Sequence, residues 1–202
     1  MKKIFICVIL PLYFYINSSN TYADSAEALN WLNNEISGII GLYMDTNIND
    51  EKRLEAIKET VEKSFAGESI ARFVVGGKWN ESDKNVQEDF IVLFKEHLYL
   101  TVGSLMQSYS NQTYNLVNAE ERKKSLYTID MELIHNEQKT MITWVVKEHK
   151  KNYYVYDLII ADISLMRTKR SEFNSVLKKR NLRQLNDILK KQNVKSYNNL
   201  IN

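Results

Sequence analysis

The chain has one proline, one cysteine, six glycines and three histidines in 202 residues. The cysteine, Cys7, and the proline, Pro11, both fall in an apolar stretch near the start. That stretch, Ile4 to Ile16, follows Lys2 and Lys3 and is followed by a polar segment ending in Thr21-Tyr22-Ala23. A positive start, a short apolar run and small residues at a cut are the layout of a secretory leader, with cleavage expected after Ala23. The run is too short for a spanning helix, which needs about 20 apolar residues. With residues 1–23 removed, the remaining chain has neither cysteine nor proline. No intramolecular disulfide can form, and stability must come from a packed core.

Excess charge of one sign is also lacking. Without Lys2 and Lys3, the 27 basic residues become 25, equal to the 25 acidic ones. A nucleic-acid binder normally carries a clear basic excess, so no nucleic-acid partner is expected. The motifs of common enzymes are missing too: no G-x-S-x-G elbow, no P-loop and no dinucleotide-binding glycine pattern. His97, His135 and His149 lack metal-site spacing, so no metal and no cofactor are expected. Ser164, His149 and Asp157 would make a nominal Ser/His/Asp set, but almost any chain this long offers one. His149 reads as a solvated turn residue and His97 as a structural histidine. No catalytic residue is assigned, and the protein is not expected to be an enzyme.

No linker or repeat divides the chain, so residues 24–194 read as one domain and 195–202 as a frayed polar tail. Apolar residues at helical spacing (Leu29, Leu32, Ile36, Ile39, Ile40) mark a helix over 25–43. A second helix is expected over 51–65 and a short one over 70–75, stopped by Gly76-Gly77. The longest, about 83–109, has Ser82 as its expected N-cap. It carries one continuous apolar stripe: Val86, Phe90, Leu93, Phe94, Leu98, Val102, Leu105, Met106 and Tyr109.

The period then changes to two. Strands are expected over 112–117, 127–133, 141–147 and 153–160, with Ile129, Met131, Leu133, Ile142, Trp144 and Val146 facing inward. Two helices follow, about 165–180 and 182–191, with Asn181 as a left-handed C-cap between them. The fold class is α+β: N-terminal helices, a curved antiparallel sheet of about four strands, and C-terminal helices packed on one sheet face around an apolar pocket.

Three stretches resemble the MlaC family, the periplasmic phospholipid-binding components of an ABC lipid-transport system, also called toluene-tolerance auxiliary proteins. They are Ala71 to Trp79; Phe94 to Tyr109 with Asn111-Gln112-Thr113-Tyr114; and Tyr156-Asp157-Leu158 with Ser164-Leu165, Thr168-Lys169, Phe173 and Leu177. The resemblance covers about 73–191. The family pattern has tryptophan where Tyr153 stands. It usually has an acidic residue and glycine where Ala161-Asp162 precede Ile163-Ser164. Aspartate tolerates positive φ less well than glycine, so this difference bears on the local turn.

The resemblance implies a carrier that shuttles phospholipid across the periplasm and maintains outer-membrane lipid asymmetry. Implied partners are phospholipid, an inner-membrane MCE-type subunit of the ABC transporter and an outer-membrane lipoprotein complex. On this reading the long helix faces the sheet across a slot. Its walls are Phe73, Val74, Trp79, Phe90, Phe94, Leu98, Val102, Met106, Tyr109, Ile129, Met131, Leu133, Ile142, Trp144, Val146 and Met166. Arg72 and Lys78 read as surface cations, with a phosphate contact as the alternative. The same apolar residues would also suit an ordinary filled core, because periodicity does not distinguish a core from a cavity. Rival readings are a carrier of another hydrophobic ligand, such as a hopanoid-type lipid, a pocket-containing enzyme, and a ligand-free adaptor.

Overall fold

The structure, a computed structural model, describes residues 20–107, 109 and 112–201, with side chains from Asp24 onward. The expected leader lies outside these residues, apart from the backbone of its last four. Four helices come first: α1 (Asn20–Met44), α2 (Asp50–Ser64), α3 (Gly67–Val75) and, after a 3-10 turn at Gly76–Trp79, α4 (Lys84–Gln107). Five strands follow: β1 (Thr113–Lys123), β2 (Leu126–His135), β3 (Gln138–His149), β4 (Asn152–Ile160) and β5 (Ile163–Ser164). The chain closes with α5 (Leu165–Leu177) and α6 (Leu182–Ile201). The strands pair in sequence order, all antiparallel, so the α+β class stands.

Among the described residues, two large hydrophobic cores and a small third cluster build the molecule. One lies among helices. Val61 of α2, Ile70 and Val74 of α3, Phe90 and Phe94 of α4, Phe173 of α5 and Leu185 and Leu189 of α6 are all buried there. The other lies between α1 and the inner sheet face. Leu32 and Ile36 of α1 cover Tyr127, Ile129, Met131, Ile142, Val146 and Val155. Phe65, just after α2, packs against both. A bridge between Phe65 and Val155, with the Ala66 N–H donating to the Val155 carbonyl at 2.9 Å, ties the helical layer to β4. On the outer face of β2 and β3, polar side chains cross-link the strands: Thr143 donates to Asp130 at 2.7 Å, and Lys139 pairs with Glu132 at 2.8 Å.

Several local expectations are corrected. Strand β1 runs to Lys123, well past Val117. Its second half is Asn118-Ala119-Glu120-Glu121-Arg122-Lys123, which has no apolar alternation, yet ladder bonds to β2 hold it. The register shifts at Val117, which is left half exposed. Ser82 does not cap α4. Its hydroxyl donates back to the Lys78 carbonyl at 2.8 Å and closes the preceding turn. Asn181 is not left-handed. It caps the start of α6, with its side-chain oxygen accepting from Gln184 N–H (3.0 Å) while Gln184 accepts from Asn181 N–H (3.1 Å). That reciprocal pair is a capping box.

The tail is not frayed: α6 continues to Ile201. Leu200 is buried against Leu54 and Leu100, where the closest approach is made at Gly103 of α4. A Cβ on Gly103 would sit 3.2 Å from Leu54 and 3.3 Å from Leu200. Gly76, with φ +66°, ends α3 where a Cβ would lie 2.9 Å from the Arg170 guanidinium. That guanidinium donates to the Phe73 carbonyl at 2.6 Å and stacks 4.7 Å over the Phe73 ring.

Candidate lipid-binding site

The expected slot between α4 and the sheet is not formed as drawn. Helix α4 packs on α2, α3 and α6, and its stripe is used in helix–helix contact. Phe90 and Phe94 lie 5.7 Å apart, with the Phe173 ring edge-on to both at 5.9 and 6.1 Å. Val74, Trp79, Phe90, Phe94 and Leu98 are all buried in this closed cluster. The physical reason is that α6, which the sequence reading ended ten residues early, supplies a full-length partner for α4. Val102 is half-buried at the margin of the helical core, and Met106 and Tyr109 are half-buried farther along.

The sheet residues do come together, on the face that α1 covers. Ile129 and Val146 are sealed, and Met131 and Ile142 nearly so. Leu133 and Trp144 are only half-buried, as are Leu116, Leu158 and Ile160 beside them. Helix α1 touches β1 and β2, while α2 and α3 reach only part of β4. A band of large apolar side chains on the inner sheet face is thus left partly uncovered. Reading the sequence missed Leu116, Leu158, Ile160 and the α1 residue Ile40 as parts of this wall. The helical spacing of Ile36, Ile39 and Ile40 was legible, but nothing local told which sheet face α1 would cover.

Phe73 and Met166 lie elsewhere. They line an open cleft of about 710 Å³ between α3, α5 and the sheet face turned away from α1, floored by Val145, Tyr156 and Ile159. The aromatic pair Phe73–Tyr156 (6.3 Å) stands at its side.

The polar groups singled out by sequence have structural partners. Ser164 caps α5: its hydroxyl donates to Asp157 at 2.5 Å and accepts from the Arg167 N–H at 3.0 Å. Asp157 also accepts from the Met166 N–H at 3.1 Å. His149, exposed at the β3–β4 turn, pairs in register with Asn152 and is not part of this group. Arg72 pairs with Glu68 at 2.5 Å and lies over Trp79, and Lys78 pairs with Glu81. Among the described residues, no group of three or more His, Cys, Asp or Glu is arranged to hold a metal. No described helix is long and apolar enough to cross a membrane.

Buried ionisable groups are held neutral. Burial lowers His97 to about 4, helped by Lys169 and opposed by its bond to Asn193 (3.3 Å). The Asn193 amide donates to the Leu93 carbonyl and Glu96, so its oxygen faces His97 as the acceptor. The His97 Nε2 is buried without a partner among the described residues. On the sheet, burial pushes the Tyr153 phenol up to about 12 and raises that of Tyr127, with Glu148 adding to both.

The described residues thus form an α+β layer structure with an apolar, incompletely covered sheet face. The family model described as "MlaC protein" matches residues 43–191, and the chain belongs to the MlaC family. Among solved structures, the chain is similar to a phospholipid-binding protein from Ralstonia solanacearum determined in complex with a phospholipid. The TM-score is 0.71 at 16% identity, covering 86% of this chain and 98% of that one. No curated protein sequence matches.

Proposed function

We propose that the protein is an exported carrier that holds a phospholipid's acyl chains against the partly uncovered inner face of its sheet. The observation that carries this reading is the band of half-buried Leu116, Leu133, Trp144, Leu158 and Ile160 on the inner sheet face. Family membership and the phospholipid bound to the Ralstonia protein support the choice of ligand. Each buried methylene is worth about 0.8 kcal/mol, so two chains of about fifteen carbons cost roughly 24 kcal/mol to expose to water. A carrier must offset most of that cost and still release its cargo. A wall that is only partly covered suits both needs.

On this proposal the leader directs the chain to the periplasm. Lipid passes between an outer-membrane lipoprotein complex and an MCE-type subunit of an inner-membrane ABC transporter, which provides the energy. No catalysis is assigned, since Ser164 and Asp157 serve as a helix cap.

The test is native mass spectrometry of mature protein purified from a bacterial periplasm, with identification of extracted lipid. Co-purified phospholipid, lost when Leu133 or Leu158 is replaced by tryptophan with the fold intact by circular dichroism, is the expected result. Lipid-free protein that also takes up nothing from phospholipid vesicles would refute the proposal.

A further inference from the structure

The inner sheet face carries four aromatic side chains with a polar tip, and three of them have partners. The Tyr114 hydroxyl lies 2.9 Å from Ser37 Oγ and donates to Asn33 at 3.0 Å. The Tyr127 hydroxyl donates to Glu148 at 3.4 Å and that of Tyr153 to Glu27 at 3.5 Å. The fourth, Trp144, is different. Its indole nitrogen is fully buried and meets no acceptor among the described residues. Buried N–H groups normally find a partner, and an orphan costs the full desolvation of the group.

The surroundings explain why no side chain supplies an acceptor. Across the ladder, Trp144 is flanked by Ile129 on β2 and Leu158 on β4. Met131 and Ile160 lie one residue pair farther along the same face. Phenylalanine would fill this apolar wall without an unpaired donor. An indole there is useful if an acceptor arrives with the ligand.

We infer that the Trp144 indole N–H donates to an acyl-ester carbonyl oxygen of the bound lipid, which sets the depth at which the glycerol stops and the chains begin. The inference rests on the carrier reading above. An ester carbonyl fits better than a phosphate oxygen, because an isolated neutral N–H in an apolar wall cannot offset the desolvation of an anion. It follows that the protein distinguishes ester-linked from ether-linked lipids. The two have the same chains and headgroup, and only the ester offers the carbonyl.

The experiment loads delipidated protein with equimolar diester and diether phosphatidylethanolamine of matched chains and reads occupancy by native mass spectrometry. The wild type is expected to prefer the diester about five- to tenfold, the size of one neutral hydrogen bond. Trp144→Phe is expected to lose the preference for the diester over the diether. A second readout does not depend on the variant folding well. The Trp144 indole proton resonance of the wild type should move downfield with diester lipid and stay in place with diether. A wild type that binds both lipids equally, with an unmoved indole resonance, overturns the inference and leaves the carrier reading intact. A wild type that binds neither lipid overturns both.

Discussion

His97, read from the sequence as a structural histidine, packs as one between two helices of the fold. It lies on α4 among the rings of Phe94 and Phe173, within 6.4 Å of each. Its bond to Asn193 fixes α4 to α6. Above pH 6.5 the ring is neutral in both folded and unfolded chains, so it makes no pH-dependent contribution. As pH falls from about 6.5 towards 4, the unfolded chain takes up a proton that the folded one refuses, and stability drops. Urea midpoints measured from pH 7.5 to 4 should show this loss, and His97→Gln should flatten it; an unchanged profile would mean that other groups govern the acid limb. Ser164 and Asp157 are structural as well. Their proximity was part of a nominal triad, yet each bonds to the backbone at the start of α5, which is where short polar side chains satisfy free N–H groups.

At the scale of elements, the hairpins are formed without glycine. Asn136-Glu137, Lys150-Lys151 and Ala161-Asp162 all have positive φ at both positions, as two-residue hairpin turns require. The missing glycine before Ile163-Ser164 therefore did not abolish the turn. Asp162 takes a φ of +66° instead, and the sheet's ladder bonds hold it there. Such strain costs on the order of 1 kcal/mol per residue. Glu137→Gly should relieve it and raise stability by about 0.5–1 kcal/mol, read as a higher melting temperature. A lower melting temperature would show that Glu137 contributes a contact exceeding that strain. Helix α6 offers a second check. Its last turns read as polar tail, because Lys195-Ser196 and Asn198-Asn199 hide the spacing of Tyr197, Leu200 and Ile201. Deleting residues 195–202 removes the buried Leu200 and should destabilise the chain by about 2–3 kcal/mol. A truncated protein as stable as the full chain would return those residues to the status of tail.

At the scale of the whole molecule, Phe65 packs into both large cores and its bridge to Val155 joins them. Phe65→Ala should lower stability by about 2–4 kcal/mol. Tryptophan emission reports both cores, through Trp79 in one and Trp31 and Trp144 in the other. In the wild type, emission and far-ultraviolet circular dichroism should follow one transition. If the variant's two signals still coincide and the midpoint does not move, the cores are joined by something other than Phe65. The sequence by itself determined the element types, the order of helices before and after an antiparallel meander, and which residues turn inward. Those properties are local: a period of 3.6 or 2 marks an apolar face whatever the face meets. The tertiary structure alone decided which faces meet. Helix α4 gave its stripe to α2, α3 and α6, because the full length of α6 was there to cover it. Helix α1, distant in sequence, took the sheet and left its inner face partly open at Leu133, Trp144, Leu158 and Ile160. An apolar stripe gains nearly the same free energy against any apolar partner, so only the packing of the complete chain selects among them.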